Sequence, residues 1–285
     1  MSEIHIEQLY IYPVKSLRGI AVNNWPVTPQ GLLYDRQWML VMPNGRFVSQ
    51  RQLPQMALID TALEDGSLLL SRDGHGQVSL PLSPSAEGLV RPAAVWDDNC
   101  IVTEASAEAS AWLTQVLQAP RPLTLVQLAP GHQRLQSQPE RFGADTHTQF
   151  ADAAPFLVAA SSSLAALNQT LQQRQLAAVD MRRFRPNIVL SGLQPFEEHQ
   201  LSQLRHGDGS RLWLRDHCER CIITTIDPDT AVKDPRREPY PTLASINAMP
   251  GKPRAAAFGV NATVEGLAAE CRWQAGDALK PLTAD

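Results

Sequence analysis

Two thiols, Cys218 and Cys221, lie beside His217 and Arg220. Directly after them come the β-branched run Ile222-Ile223-Thr224-Thr225-Ile226 and the acidic, proline-broken Asp227-Pro228-Asp229-Thr230. A thiolate is a soft metal ligand and a strong nucleophile, and its surroundings decide whether it reacts. Upstream, Arg182, Arg183 and Arg185 form a basic cluster. A soft ligand together with several anion-holding groups is what a phosphorylated metal cofactor requires. Zinc wants about four ligands, whereas this Cys-x-x-Cys with His217 has no second pair nearby. A thioredoxin-like pair expects a βαβ context and an iron–sulfur module expects clustered cysteines; neither is present. Two readings stay open: one ligand or nucleophile with an incidental second thiol, or two inert buried thiols. The inert reading leaves the polar crowd of Arg220, Thr224, Thr225 and Asp227 unexplained.

Three further segments carry groups that bind anions. Tyr12-Pro13-Val14-Lys15-Ser16 ends a strand in a loop closed by Gly19. Its lysine, serine and free N–H groups can hold a phosphate, although the P-loop spacing is absent and a solvated surface loop is the bland alternative. Asp35-Arg36 and Ser49-Gln50-Arg51-Gln52 each place an arginine next to a short strand, either as an anion fork or as a surface ion pair of little energetic worth. Between Asp180 and Leu190, a strand starting at Phe184 would put Arg183, Arg185 and Asn187 on one face, so that Arg185 and Asn187 serve one ligand. Salt bridges to Asp180 and Glu197 are the competing use of these arginines.

The elements that must position these groups are mostly strands. Residues 5–14, 37–42, 46–50, 56–63 and 67–71 read as short strands, with turns at Pro43-Asn44-Gly45, Glu64-Asp65-Gly66 and Asp73-Gly74-His75-Gly76. Such spacing predicts an antiparallel barrel or sandwich. Helical periodicity covers 105–117 and 161–175, the second with serines able to cap it. Strands return at 123–128, 184–190, 211–214 and 221–226, and Gly276-Asp277 reads as a hairpin turn. The fold class is therefore mostly β with a few helices (α+β), divided near residue 125 into units 1–125 and 126–285.

Composition removes several function classes. A net charge of −4 argues against a general nucleic-acid binder. No apolar run reaches the roughly 20 residues that span a bilayer, so no membrane partner is expected. Glu3, His5 and Glu7 rule out a secretory signal over the first residues. The four cysteines read as reduced thiols, and a cytoplasmic protein is expected.

Taken together and in this order, Tyr12-Pro13-Val14-Lys15-Ser16, Asp35-Arg36, Ser49-Gln50-Arg51-Gln52, Phe184-Arg185-Pro186-Asn187 and the stretch from Arg220 to Thr230 resemble the MOSC-domain proteins. The similarity is to the branch of the mitochondrial amidoxime-reducing component and its bacterial relatives. It runs from the first strand to Phe258-Gly259-Val260-Asn261 and Gly276-Asp277. The resemblance implies a β-rich MOSC N-terminal domain, a MOSC domain with a β-barrel core, and a molybdopterin-type molybdenum cofactor between them. It implies Cys221 as the thiolate ligand to molybdenum, and Lys15, Ser16 and Arg36 on the pterin phosphate. Arg185 and Asn187 would be further cofactor contacts, and Asp152 an acid near the metal that delivers protons. The implied activity is reduction of small N-hydroxylated compounds (hydroxylaminopurines, amidoximes, hydroxylamines). Electrons would come from a separate flavoprotein reductase or ferredoxin-type protein, because no ferredoxin module accompanies the chain. A carrier of molybdenum cofactor or sulfur on Cys221, without reductase activity, is the alternative. Two departures stand out: Ala153 and Ala154 replace familiar hydroxyl residues, losing hydrogen bonds of about 1 kcal/mol each, and Glu219 replaces a serine.

Overall fold

The first strand, Ile4–Ile11, has apolar residues at 4, 6, 9 and 11, a change of phase that strict alternation cannot bury. A bulge between Ile6 and Gln8 absorbs the extra residue, and Ile4, Ile6, Leu9 and Ile11 all reach the core. This strand belongs to a closed seven-stranded barrel. We number the barrel strands in chain order: β1 (Ile4–Ile11), β2 (Phe156–Ala160), β3 (Ile188–Ser191), β4 (Gln203–His206), β5 (Arg211–Glu219), β6 (Lys252–Glu265) and β7 (Ala278–Pro281). Around the barrel the order is β2-β3-β1-β7-β4-β5-β6, and β6 closes on β2. Only β2 and β3 run parallel, joined by the helix Ser161–Gln173 as such pairs require. The N-terminal strand thus sits among the C-terminal ones. The computed structural model describes residues 3–83, 88–136 and 138–282.

The other unit packs a four-stranded sheet (Met39–Val41, Thr124–Leu128, Asp98–Glu104, Val90–Val95) near a three-stranded one (Asp60–Glu64, Ser67–Ser71, Gln77–Pro81). Trp38, Leu40, Met56, Leu68 and Leu113 share its core, with Leu113 from the helix Ala107–Val116. Ser106 caps that helix by accepting the N–H of Ala109 at 3.1 Å. Mostly β with few helices is the observed architecture. No helix among the described residues is long and apolar enough to cross a membrane.

Several local expectations need correction. Pro54 starts a 3-10 turn, Pro54–Leu58, and strand begins only at Asp60. Over residues 46–50 only Arg46 and Phe47 form isolated bridges, and there is no full strand. The helix Ser161–Gln173 is not capped by its serines: the buried Glu198 carboxylate accepts from the N–H of Ala160 at 3.3 Å and holds the Ser163 hydroxyl at 2.8 Å. Gly276 does sit in a turn, yet the strands it joins pair elsewhere: Arg272–Gln274 with Asn24–Thr28, and β7 with β1 and β4.

Candidate functional site

Leaving the barrel, β1 ends at Ile11, just before Pro13, and its continuation enters the other unit through a bridge from Val14 to Trp38. Tyr12 anchors this crossing. Its N–H donates to Asp35 at 2.8 Å, its hydroxyl donates to the carbonyl of Pro186 at 3.1 Å, and burial raises its phenol far above the usual range. Two guanidinium groups, of Arg36 and Arg185, each lie 4.2 Å from the centre of its ring. Asp35 is buried, so Asp35-Arg36 is no surface pair. Arg36 donates through Nη1 to both Asp35 oxygens, at 2.8 and 2.6 Å, and through Nη2 to the Arg185 carbonyl at 3.0 Å.

The arginine cluster divides by role. Arg182 pairs with Asp180 and Asp229, and Arg183 pairs with Asp227 at 2.9 Å. Neither uses Glu197. Arg185 has no carboxylate partner among the described residues: Nη1 donates to the Leu17 carbonyl at 2.7 Å, and the buried Nη2 has no acceptor. Burial first, then the like charge of Arg36, push Arg185 down to about 10, so it stays a cation at neutral pH with its charge poorly balanced. The expectation that Arg183, Arg185 and Asn187 share a strand face fails. Met181–Arg183 is a 3-10 turn, Arg185 takes φ 55°, and β3 starts at Ile188. Pro186 forces this break, since it withholds a ladder donor. Even so, Arg185 and Asn187 line one cavity. Asn187 mainly stitches the barrel, accepting from the N–H of Leu157 at 3.1 Å and donating to the Tyr10 carbonyl at 3.2 Å.

That cavity measures about 530 Å³ and takes its walls from both units. Lys15, Ser16, Arg36, Arg185, Asn187, Asp152 and Cys221 all line it. Charge concentrates there. Lys15, Arg36, Arg51, Arg141, Arg185, Arg220 and Lys252 face only Asp152, Asp216 and Glu219, a positive surplus on a chain that is negative overall. Ser16 takes a left-handed backbone conformation, φ 70°, in the cavity wall.

Lys15 is buried yet charged against a partner. Its ammonium donates to the Phe150 carbonyl at 2.7 Å and to Asp152 at 2.6 Å, leaving one N–H of three for a ligand. Burial would raise the Asp152 carboxyl, but Lys15, the Trp96 N–H at 2.8 Å and Arg51 outweigh it and hold it well below the usual range. A carboxylate so stabilised is a poor acid, and the proton of the pair rests on Lys15.

On the opposite wall, bulges in β5 at Leu214/Asp216 and His217/Glu219 re-aim its end, bringing Asp216, Cys218 and Glu219 to the cavity. The residues after Cys221 do not continue as a strand. Ile222–Thr225 is a 3-10 turn in which Thr224 and Thr225 return their hydroxyls to the carbonyls of Cys221 and Ile222, at 3.0 and 2.7 Å. Arg220 donates to the Cys218 sulfur at 2.9 Å and to the Phe184 carbonyl at 2.7 Å, while its buried Nε has no acceptor. Burial raises the Cys218 thiol despite Arg220, which keeps it protonated. Glu219 pairs at 2.7 Å with Lys252, and this contact neutralises the carboxylate beside Cys221.

Two family models match the chain: the MOSC N-terminal beta barrel domain over residues 3–120 and the MOSC domain over residues 145–280. This chain is a member of the MOSC-domain family. The Mitochondrial amidoxime-reducing component 1 of Mus musculus is 34% identical over 247 residues, which cover 84% of this chain and 70% of the relative. Its Homo sapiens counterpart is 33% identical over 247 residues, covering 84% and 71%. A Molybdenum cofactor sulfurase of Oryza sativa subsp. japonica is 31% identical over 268 residues, covering 88% of this chain but 32% of that protein.

Within this MOSC chain, sequence reasoning missed Trp96, Arg141, Asp216 and Lys252 as lining residues. Trp96, Asp216 and Lys252 arrive through hairpins or a bulge that pairing alone reveals, and Arg141 arrives on the short helix Pro139–Phe142, where it pairs with Asp216. Thiol chemistry offers a direct check of the site's exposure. Burial raises Cys100, and burial with Asp208 pushes Cys271 up to about 12. Limiting iodoacetamide at mildly alkaline pH should therefore label Cys221 first and Cys100 and Cys271 last, as read by peptide mass spectrometry. Early labelling of Cys271 would contradict this geometry.

Proposed function

We propose that this chain reduces N-hydroxylated compounds (hydroxylaminopurines, amidoximes and hydroxylamines) with a molybdopterin-type molybdenum cofactor and electrons from a separate flavoprotein reductase or ferredoxin-type protein. One observation carries the reading: the half-exposed Cys221 opens on the same cavity as two half-buried arginines, Arg185 and Arg220, each with one buried N–H that has no acceptor. Buried donors without acceptors are uncommon in a protein, and two of them on one positively charged cavity suit an anionic ligand. A soft sulfur beside them suits molybdenum. The residues present therefore fit the cofactor.

In this reading Cys221 is the metal ligand, and Lys15, Ser16, Arg36, Arg185 and Asn187 hold the anionic tail. Bound there, the cofactor supplies the electron transfer that breaks the N–O bond. Arg36 and Arg185, fixed on the Tyr12 ring, set where the tail lies. Lys15 keeps its one remaining N–H for that tail, with the ionised Asp152 as the partner that aims it. Glu219 does not repel an anionic ligand while Lys252 covers it. Lys252→Ala should change stability by no more than about 1 kcal/mol, since both partners are exposed, yet it should lower molybdenum retention. Thermal melts and metal analysis check both outcomes.

The relatives' names favour reduction. The amidoxime-reducing components match over most of their own length, the sulfurase over about a third of its own. The carrier alternative keeps Cys221 as a persulfide site and would show labile sulfur in apo protein. Purified protein from a molybdenum-replete host, given a chemically reduced electron carrier, should reduce a hydroxylaminopurine. Protein from a host unable to make the cofactor should not, and equal rates from the two would overturn the proposal.

A further inference from the structure

Trp96 is a large aromatic left 46% exposed at the cavity, and the roles assigned so far do not account for it. It stands at the tip of the hairpin joining Val90–Val95 to Asp98–Glu104, where Val95 pairs with Asp98 and Trp96 and Asp97 form the loop. Its φ is 56°, a conformation that glycine or asparagine ordinarily takes and a bulky side chain avoids. Strain of this kind persists where the surroundings impose it, and it collects at functional sites. Here the two-residue loop requires the backbone conformation, and three contacts fix the side chain. The Arg51 guanidinium lies 4.4 Å from the ring centre, Phe47 meets the ring edge-on at 5.0 Å, and the indole N–H donates to Asp152 at 2.8 Å. The ring is thus held rigid and oriented, with its remaining surface open on the cavity beside the proton-holding pair.

We propose that Trp96 is a specificity-determining residue, an aromatic wall on which planar N-hydroxylated heteroaromatic substrates stack with the N–O group directed into the cavity. The proposal rests on the reductase reading for its substrate class. A rigid indole with one region clamped by a cation suits a flat, electron-poor base. A small aliphatic hydroxylamine has no face to offer it. Indole–base stacking does not depend on which groups decorate the ring, so the wall selects planarity and not one compound.

The alternative is that Trp96 only steadies Asp152, and two variants separate these roles. Trp96→Phe keeps a ring face and loses the N–H; Trp96→Ala loses both. The ratio of kcat/KM for a hydroxylaminopurine over that for a small aliphatic hydroxylamine should fall about tenfold or more in Trp96→Ala and stay near wild type in Trp96→Phe. A ratio that is unchanged in Trp96→Ala, or that falls equally in both variants, would overturn the stacking role. Calorimetric titration of the purified protein with the planar amine product supplies a readout free of turnover. Trp96→Ala should weaken that binding about tenfold. If reduction is never observed but this binding loss is, the reductase reading fails while the wall stands. If reduction occurs and the binding is insensitive to Trp96, the wall fails alone.

Discussion

Substituting Cys221→Ser should take reduction of hydroxylamino substrates to background and strip molybdenum from the purified protein while leaving the fold intact. Serine preserves shape at this position but exchanges a soft sulfur ligand for a hard hydroxyl. The Cys221 side chain is half-exposed and makes no hydrogen bond that packing depends on; the turn after it is held by its carbonyl, through Thr224. Thermal unfolding of the apo protein should therefore match wild type. Cys218→Ser offers the contrast, because that thiol is held protonated and serves as an acceptor for Arg220. It should weaken cofactor retention without abolishing turnover. Full turnover in Cys221→Ser would refute sulfur ligation at this position.

Arg185→Met should nearly abolish cofactor retention and yet leave the apo protein about as stable as wild type. Replacing a buried cation by an apolar side chain of similar length often costs nothing, provided no partner charge is stranded. Arg185 has no carboxylate to strand; the change orphans only the Leu17 carbonyl, a loss of about 1 kcal/mol, and it removes repulsion with Arg36. Arg183→Met should behave in the opposite way, since it removes the guanidinium that pairs with Asp227, and neither residue lines the cavity. Chemical denaturation and molybdenum content measured on both variants distinguish a cofactor cradle from a structural salt-bridge network. Marked destabilisation of the apo protein by Arg185→Met would assign that arginine to the fold.

Much of this was legible in the sequence because the relevant signals are local. Short β-branched runs punctuated by glycine and proline gave the strand-rich architecture, and the spacing of Leu164, Leu167 and Leu171 gave the crossover helix. The thiol pair, the Lys15 loop and the arginine cluster pointed to anion and metal chemistry before any packing was known. What sequence could not show depends on pairing across long separations. Closure of the barrel by β1 between β3 and β7 joins the two ends of the chain, and no local pattern encodes that neighbour choice. The same holds for which arginine remains unpaired: Arg182, Arg183 and Arg185 look equivalent in sequence, and only the positions of Asp227 and Asp229 separate them. Strand periodicity misled at Ile222–Thr225, where the threonine hydroxyls satisfy their own backbone, and at Arg185, where a left-handed residue before proline interrupts the strand. Trp96 was invisible because an aromatic in a hairpin loop has no signature of its own.

X-ray absorption at the molybdenum edge, on protein purified from a molybdenum-replete host, probes the sulfur–metal bond itself. Stoichiometric metal is expected, with a sulfur shell that loses one scatterer in Cys221→Ser loaded with cofactor by reconstitution. An identical sulfur shell in that variant, or well-folded wild-type protein that never retains molybdenum, would contradict a molybdenum–sulfur bond at Cys221.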